Sequence, residues 1–156
     1  MFPELIGTGK FAVGRLRYAD TYGSDPSARI VVIATFEALV TTSVILDTGA
    51  PWCILNPLEA DVLNLAERAD CSQTEPLRVR GILYTGRICR IPITLNAEMG
   101  QSLTVEASVF IPELATSECW YHPNFLGLSG FLNRIRFAVD PEHNHLYFGP
   151  ASSEGF

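Results

Sequence analysis

Apolar positions in this chain come in short runs broken by Gly, Pro, Asn and Asp, which is a pattern of strands and turns. Residues 10–18 predict a first strand, with Phe11, Val13, Leu16 and Tyr18 set among Gly and Arg. Residues 19–28 hold Gly23, Ser24, Asp25 and Pro26 and predict a loop. Residues 29–36 predict a second strand, because Ile30-Val31-Val32-Ile33 is too continuous a run for one exposed face. Glu37-Ala38 predicts a turn, and residues 41–46 a third strand that runs straight into Asp47.

One helix signal follows. Asn56 suits an N-cap, Pro57 the first helical position, and Glu59 and Asp61 the positive end of the helix dipole. Leu58, Val62, Leu65 and Ala66 continue at near-helical spacing. Residues 70–76 predict a polar loop. Residues 77–82 and 87–95 predict a hairpin whose tip contains Gly81, Leu83, Tyr84, Thr85 and Gly86. Residues 96–100 predict a turn, 102–111 a strand and 112–122 an irregular connection. Phe125-Leu126-Gly127-Leu128 is apolar and ends in a Gly-containing turn, and residues 130–133 predict a short helix. Residues 134–139 and 145–148 pair around a turn at 140–144. The sum is about eight strands and one or two short helices, a mostly β, closed barrel-like domain. With no repeat or linker, residues 1–156 read as one domain, of which 1–28 could form an N-terminal extension.

Composition narrows the function. A hydrophobic content of 47% against 18% charged residues is globular, and 156 residues can bury a sizeable core. The net charge of −6 excludes nucleic acid as the main partner. No run of 18 apolar residues exists, so a membrane-spanning helix is not expected. Met1-Phe2-Pro3-Glu4 lacks the basic start of a signal peptide. Cys53, Cys71, Cys89 and Cys119 show no C-x-x-C spacing, so neither zinc nor a disulfide framework is expected. They read as free thiols of a cytoplasmic protein, with Cys53 in core packing. His143 and His145 read as an exposed turn rather than metal ligands, and Glu113, Glu118 and His122 as solvated loop residues. No cofactor or metal is implied.

Val44-Ile45-Leu46-Asp47-Thr48-Gly49-Ala50 carries the candidate chemistry. Three apolar residues deliver an aspartate, and a carboxylate following a buried run needs a reason. As residue types, Asp, Thr and Gly also suit a plain turn at a strand end.

Taken with two later segments, this stretch resembles the single-domain, retroviral-type (retropepsin-like) aspartic proteases and their cellular and bacterial relatives. The resemblance runs roughly from residue 29 to 148. It rests on Asp47-Thr48-Gly49-Ala50 with its apolar approach, on the hairpin Arg80-Gly81-Ile82-Leu83-Tyr84-Thr85-Gly86-Arg87 at the place of the family's flap, and on Phe125-Leu126-Gly127-Leu128 as its apolar-apolar-Gly segment. Gly130-Phe131-Leu132 and Phe137-Ala138-Val139-Asp140 resemble bacterial members. The hairpin is less glycine-rich than retroviral flaps, and Leu128-Ser129 replaces the charged pair common in that branch.

The resemblance implies an aspartic endopeptidase acting on polypeptides, in which paired carboxylates activate a water. Two carboxylates about 3 Å apart share one proton, one acting as base and the other as acid. The chain has one Asp-Thr-Gly, so the second Asp47 must come from another copy, in a C2 homodimer. Thr48 hydroxyls would bond across that interface, and Gly49 would let backbone approach the carboxylates. Ala50 lacks the hydroxyl that the pepsin branch offers its aspartate, so a less acidic optimum than pepsin's is expected. Gly81, Ile82, Leu83 and Tyr84 would form the flap over substrate, and Ala50 and Phe125, with Ile82 and Leu83, would contribute to binding pockets. The alternative is a catalytically inactive relative, a dimerisation or peptide-binding barrel of the same fold.

Overall fold

The computed structural model describes residues 11–19 and 29–151. The expected features of residues 1–10 and 20–28 lie outside them. The chain is mostly β. In order, the strands are β1 (Ala12–Ala19), β2 (Arg29–Phe36), β3 (Val40–Asp47), β4 (Cys53–Ile54), β5 (Glu75–Val79), β6 (Ile82–Leu95), β7 (Leu103–Glu113), β8 (Asn124–Gly127), β9 (Ile135–Asp140) and β10 (His145–Pro150). Among the described residues, one α-helix, α1 (Pro57–Val62), and 3-10 turns at Leu65–Glu67 and Leu132–Arg134 complete the elements.

Six strands close a barrel in the order β2-β3-β8-β4-β7-β6, because β6 also pairs with β2 through Ala34–Leu95, Thr35–Thr94 and Phe36–Ile93. β1 belongs to this sheet system. Its second half, from Leu16, pairs with β2, and its first half with β10, which in turn carries β9. β5 is the other edge, paired only with β6.

The continuous apolar runs have a simple cause. Adjacent residues of β2, β3 and β8 point into two different cores. Val32, Val44 and Leu126 join Phe36, Leu55, Ile91, Ile93 and Phe131 in the larger core. Val31, Ile45 and Phe125 join Ile54, Val79, Tyr84 and Phe110 in a smaller one. Both faces are therefore buried at Val31-Val32, Val44-Ile45 and Phe125-Leu126, whereas Ile33, expected within the buried run, is exposed, as are Thr41 and Ser43.

α1 starts as its residues dictate. The Asn56 side chain accepts from the Leu58 N–H, and Pro57 opens the helix. Asn124, buried at the start of β8, joins the helix to the barrel: its Oδ1 accepts from Asn56 N–H at 2.7 Å, and its Nδ2 donates to Glu59.

Three expectations are corrected. Cys71 and Cys89 form a disulfide, tying the loop after α1 to β6, so these two are not free thiols. The pair continues the β5–β6 hairpin beyond Glu75, a neighbourhood that sequence spacing does not reveal. Cys53 and Cys119 are free. Second, the hairpin turns at Arg80-Gly81, not over residues 81–86. Arg80 (φ 50°) and Gly81 (φ 87°) make the two-residue loop, Val79 stands opposite Ile82, and Leu83 to Gly86 lie within β6. Third, His122 is half-buried and partnered, and Glu113, though exposed as expected, ends β7 rather than lying in a loop. His122 Nε2 lies 2.9 Å from the Tyr84 hydroxyl, and Glu113 pairs with Arg87 at 3.0 Å. His143 Nδ1 donates to Asp140 at 2.9 Å and braces the β9–β10 turn.

Candidate active site

The site is built where two strands run parallel. β3 and β8 pair from Val44–Asn124 to Asp47–Gly127. At the end of β3 the chain leaves in a loop, residues 48–52, and β8 passes close behind it. Gly127 makes that passage possible: a Cβ there would sit 2.1 Å from the Trp52 carbonyl oxygen and 2.8 Å from that of Ala50. Gly130 is equally confined, 2.6 Å from the Ser108 carbonyl oxygen. With those side chains absent, backbone bonds close the crossing. Leu128 N–H donates to Ala50 at 2.7 Å, and Gly130 N–H to Pro51 at 3.0 Å.

This frame holds Asp47. Its Oδ1 accepts from Gly49 N–H at 2.8 Å, and its carbonyl from Ala50 N–H at 3.2 Å. The backbone donor fixes the orientation of the carboxylate. Cys53, just beyond the loop, is fully buried. Burial pushes its thiol up to about 12, so it is inert packing rather than a nucleophile.

Asp47 opens into a cleft of about 850 Å³. Ile45, Ile54 and Phe125, members of the smaller core, line it beside Gly49, Ala50 and Pro51. The β5 arm and the turn bring Leu77, Arg78, Val79 and Arg80 to the same cleft, while Tyr18, Arg29, Ile30 and Leu46 complete it. Among the described residues, Asp47 is the only carboxylate in the lining.

The sequence-predicted residues divide between two places. Asp47, Gly49, Ala50 and Phe125 meet in the cleft, and Thr48 is exposed on the same loop. Gly81, Ile82, Leu83 and Tyr84 are not among the lining residues. Ile82 and Leu83 are exposed just past the turn, whereas Tyr84 is buried against Trp120 and His122, with ring centroids 4.9 and 5.6 Å away. The hairpin reaches the cleft through β5 instead. Sequence reading missed Arg29, Arg78 and Arg80; a cluster spread over two distant segments leaves no local signal, although the spacing of Arg78 and Arg80 beside a turn was visible.

No protein-family model and no curated protein matches the chain. The structure is similar to that of a retropepsin-like aspartic protease from Rickettsia conorii, at 20% identity over 88% of this chain and 97% of that one, with a TM-score of 0.45. It is also similar to the retroviral protease-like domain of Ddi1 from Leishmania major, at 14% identity over 82% and 98%, with a TM-score of 0.44.

Proposed function

We propose that the chain is an aspartic endopeptidase, active as a homodimer, that hydrolyses peptide bonds with one Asp47 from each subunit. The observation that carries this reading is the placement of Asp47: a carboxylate on a glycine-supported loop, at the edge of a cleft beneath a β-hairpin. Among the described residues the cleft offers one carboxylate, and hydrolysis by carboxylates alone needs two. The second comes from a copy related by a two-fold axis at the Asp47-Thr48-Gly49 loops, where the exposed Thr48 hydroxyls are available to bond across the interface.

In this mechanism the ionised member of the pair takes a proton from water, and that water attacks the scissile carbonyl carbon. The protonated member donates to the carbonyl oxygen, giving a tetrahedral intermediate that collapses as the amine leaves. No side chain attacks, so no acyl-enzyme forms. An extended substrate would lie between the hairpin and the floor around Phe125 and Ala50, with the hairpin excluding water.

The test is cleavage of a mixed peptide library between about pH 3 and about pH 7. Asp47→Asn should lose cleavage by a factor of at least a thousand. Comparable cleavage by wild type and variant would overturn the assignment. A wild type that binds peptides but never cleaves them would favour an inactive peptide-binding barrel.

A further inference from the structure

We infer that His122 and Trp120 are positioning residues for the β5–β6 hairpin: they latch Tyr84, hold the hairpin in place over the cleft, and so set how tightly the cleft retains a peptide. This inference rests on the proposed use of the cleft for polypeptides.

The hairpin outruns its sheet. β6 pairs with β7 from Leu95–Leu103 back to Thr85–Glu113, and that ladder goes no further. Beyond it, among the described strands, β5 and residues 82–84 of β6 have only each other as ladder partners. A two-stranded arm of this kind is positioned by its side chains rather than by a sheet. Leu77, Arg78 and Val79 of the arm line the cleft, so the placement of the arm decides the shape of the cleft.

Tyr84 ties the arm down. It stands opposite Leu77, one position past the last β6–β7 pair. Opposed residues share a face, and both side chains turn to the smaller core. The Tyr84 ring meets Trp120 edge-on, with centroids 4.9 Å apart, and His122 at 5.6 Å. Trp120 and His122 are themselves 4.8 Å apart, so the three rings support one another. The Tyr84 hydroxyl lies 2.9 Å from His122 Nε2, which adds a directional bond to the packing.

The base of the latch is fixed to the frame that holds Asp47. Only Pro123 separates His122 from β8. Asn124 opens β8, is buried, and is bonded to Asn56 N–H and Glu59. Phe125 follows in the cleft lining, and β8 runs on beside β3 as far as Asp47. The latch thus joins the arm to the strand behind the carboxylate. None of its three rings is in the cleft lining, so it acts through the hairpin and not on the peptide.

A loosened arm lowers the fraction of molecules ready to hold peptide. Apparent affinity weakens by that fraction, while the chemical step on bound peptide is left alone. Tyr84→Phe removes the hydroxyl and keeps the ring. In protein without peptide, backbone hydrogen exchange over residues 75–84 should speed up about fivefold, with β9 and β10 unchanged. KM for a cleaved peptide should rise by about the same factor, and kcat should stay within about twofold. His122→Leu should copy both effects, and combining it with Tyr84→Phe should add little. His122→Gln keeps a hydrogen-bonding group for the hydroxyl and should recover most of the wild-type exchange and KM.

Unchanged exchange in the arm would overturn the latch, as would acceleration spread evenly over β9 and β10. A fall in kcat at constant KM would overturn it too, because that marks loss of folded enzyme rather than a displaced hairpin. Cleavage that needs Asp47 in a protein whose arm ignores Tyr84→Phe sinks this inference alone. An arm that loosens in Tyr84→Phe, in a protein that cleaves no peptide, keeps the latch and sinks the proposed hydrolysis.

Discussion

Asp47 and Gly127 stand opposite one another in the parallel pairing of β3 and β8, the one carrying the carboxylate and the other making room for its loop. A Cβ on Gly127 would lie 2.1 Å from a backbone oxygen, and backbone cannot step aside as a flexible side chain does. Gly127→Ala should therefore cost about 3 kcal/mol or more of stability, at the severe end of overpacking. Urea denaturation measures it. A loss below about 0.5 kcal/mol would mean that the crossing is looser than described. Gly81→Ala is the contrast. Nothing lies within 4 Å of its Cβ position, so only the strain of φ +87° opposes it and the loss should be about 1 kcal/mol.

The Cys71–Cys89 disulfide closes a loop across 18 positions, which in the chain-entropy account stabilises by about 3 kcal/mol. Cys71→Ser should lower the unfolding free energy by that order, and reductant should do the same to wild type but not to the variant. Intact mass after alkylation without reduction counts the thiols. Four alkylated cysteines in native protein would contradict the bond. The disulfide also removes the argument that placed the chain in a reducing compartment, since that argument rested on free thiols.

Stability should fall on mild acidification because of His122. Burial, and secondarily the charge of Arg80, lowers this imidazole from its ordinary 6.5. The folded state then binds fewer protons than the unfolded chain, so stability is full above about pH 6.5 and is lost as pH drops through the lowered folded value. Denaturation midpoints from about pH 8 to about pH 5 should decline in wild type and decline less in His122→Gln. Parallel profiles would remove His122 from the account.

Ala50 offers a test of the carboxylate chemistry. Ala50→Ser supplies a hydroxyl beside Asp47, and a donor to a carboxylate favours its ionised form. The acidic limb of the pH–rate profile should move to lower pH. Movement to higher pH, or an unchanged limb with cleavage intact, would mean that residue 50 does not act on the aspartate.

How much of this was legible follows from where each signal is stored. The approach to Asp47 was readable because Val44-Ile45-Leu46 is buried on both faces, and so was Phe125-Leu126-Gly127, whose glycine marks a close passage. The start of α1 was readable from Asn56 and Pro57, local groups with local effects. The hairpin tip was not. Gly81 and Gly86 bracket an equally plausible turn, yet Gly86 sits in β6 where Phe110 packs over the missing Cβ, and Arg80 takes the positive φ. The same register decides where Tyr84 lies. One register shift in the hairpin moves a side chain from one face to the other, and Tyr84 faces Trp120 and His122 rather than the cleft. The disulfide was hidden by the same misplaced tip, because the true register of the β5–β6 hairpin is what carries Cys71 to Cys89.

The most direct test of the central claim is to make mixed dimers. Wild type and Asp47→Asn chains are coexpressed in equal amounts with different tags, purified together, and assayed with the hydrodynamic mass recorded. If the site needs one Asp47 from each chain, random pairing leaves only about a quarter of the dimers intact, and activity falls to about a quarter of that of an equal amount of pure wild type. If each chain carries a complete site, activity falls only to about half. The first result on a species of dimer mass is the one predicted. The second, or full activity in a monomer, would contradict a carboxylate pair shared between two chains.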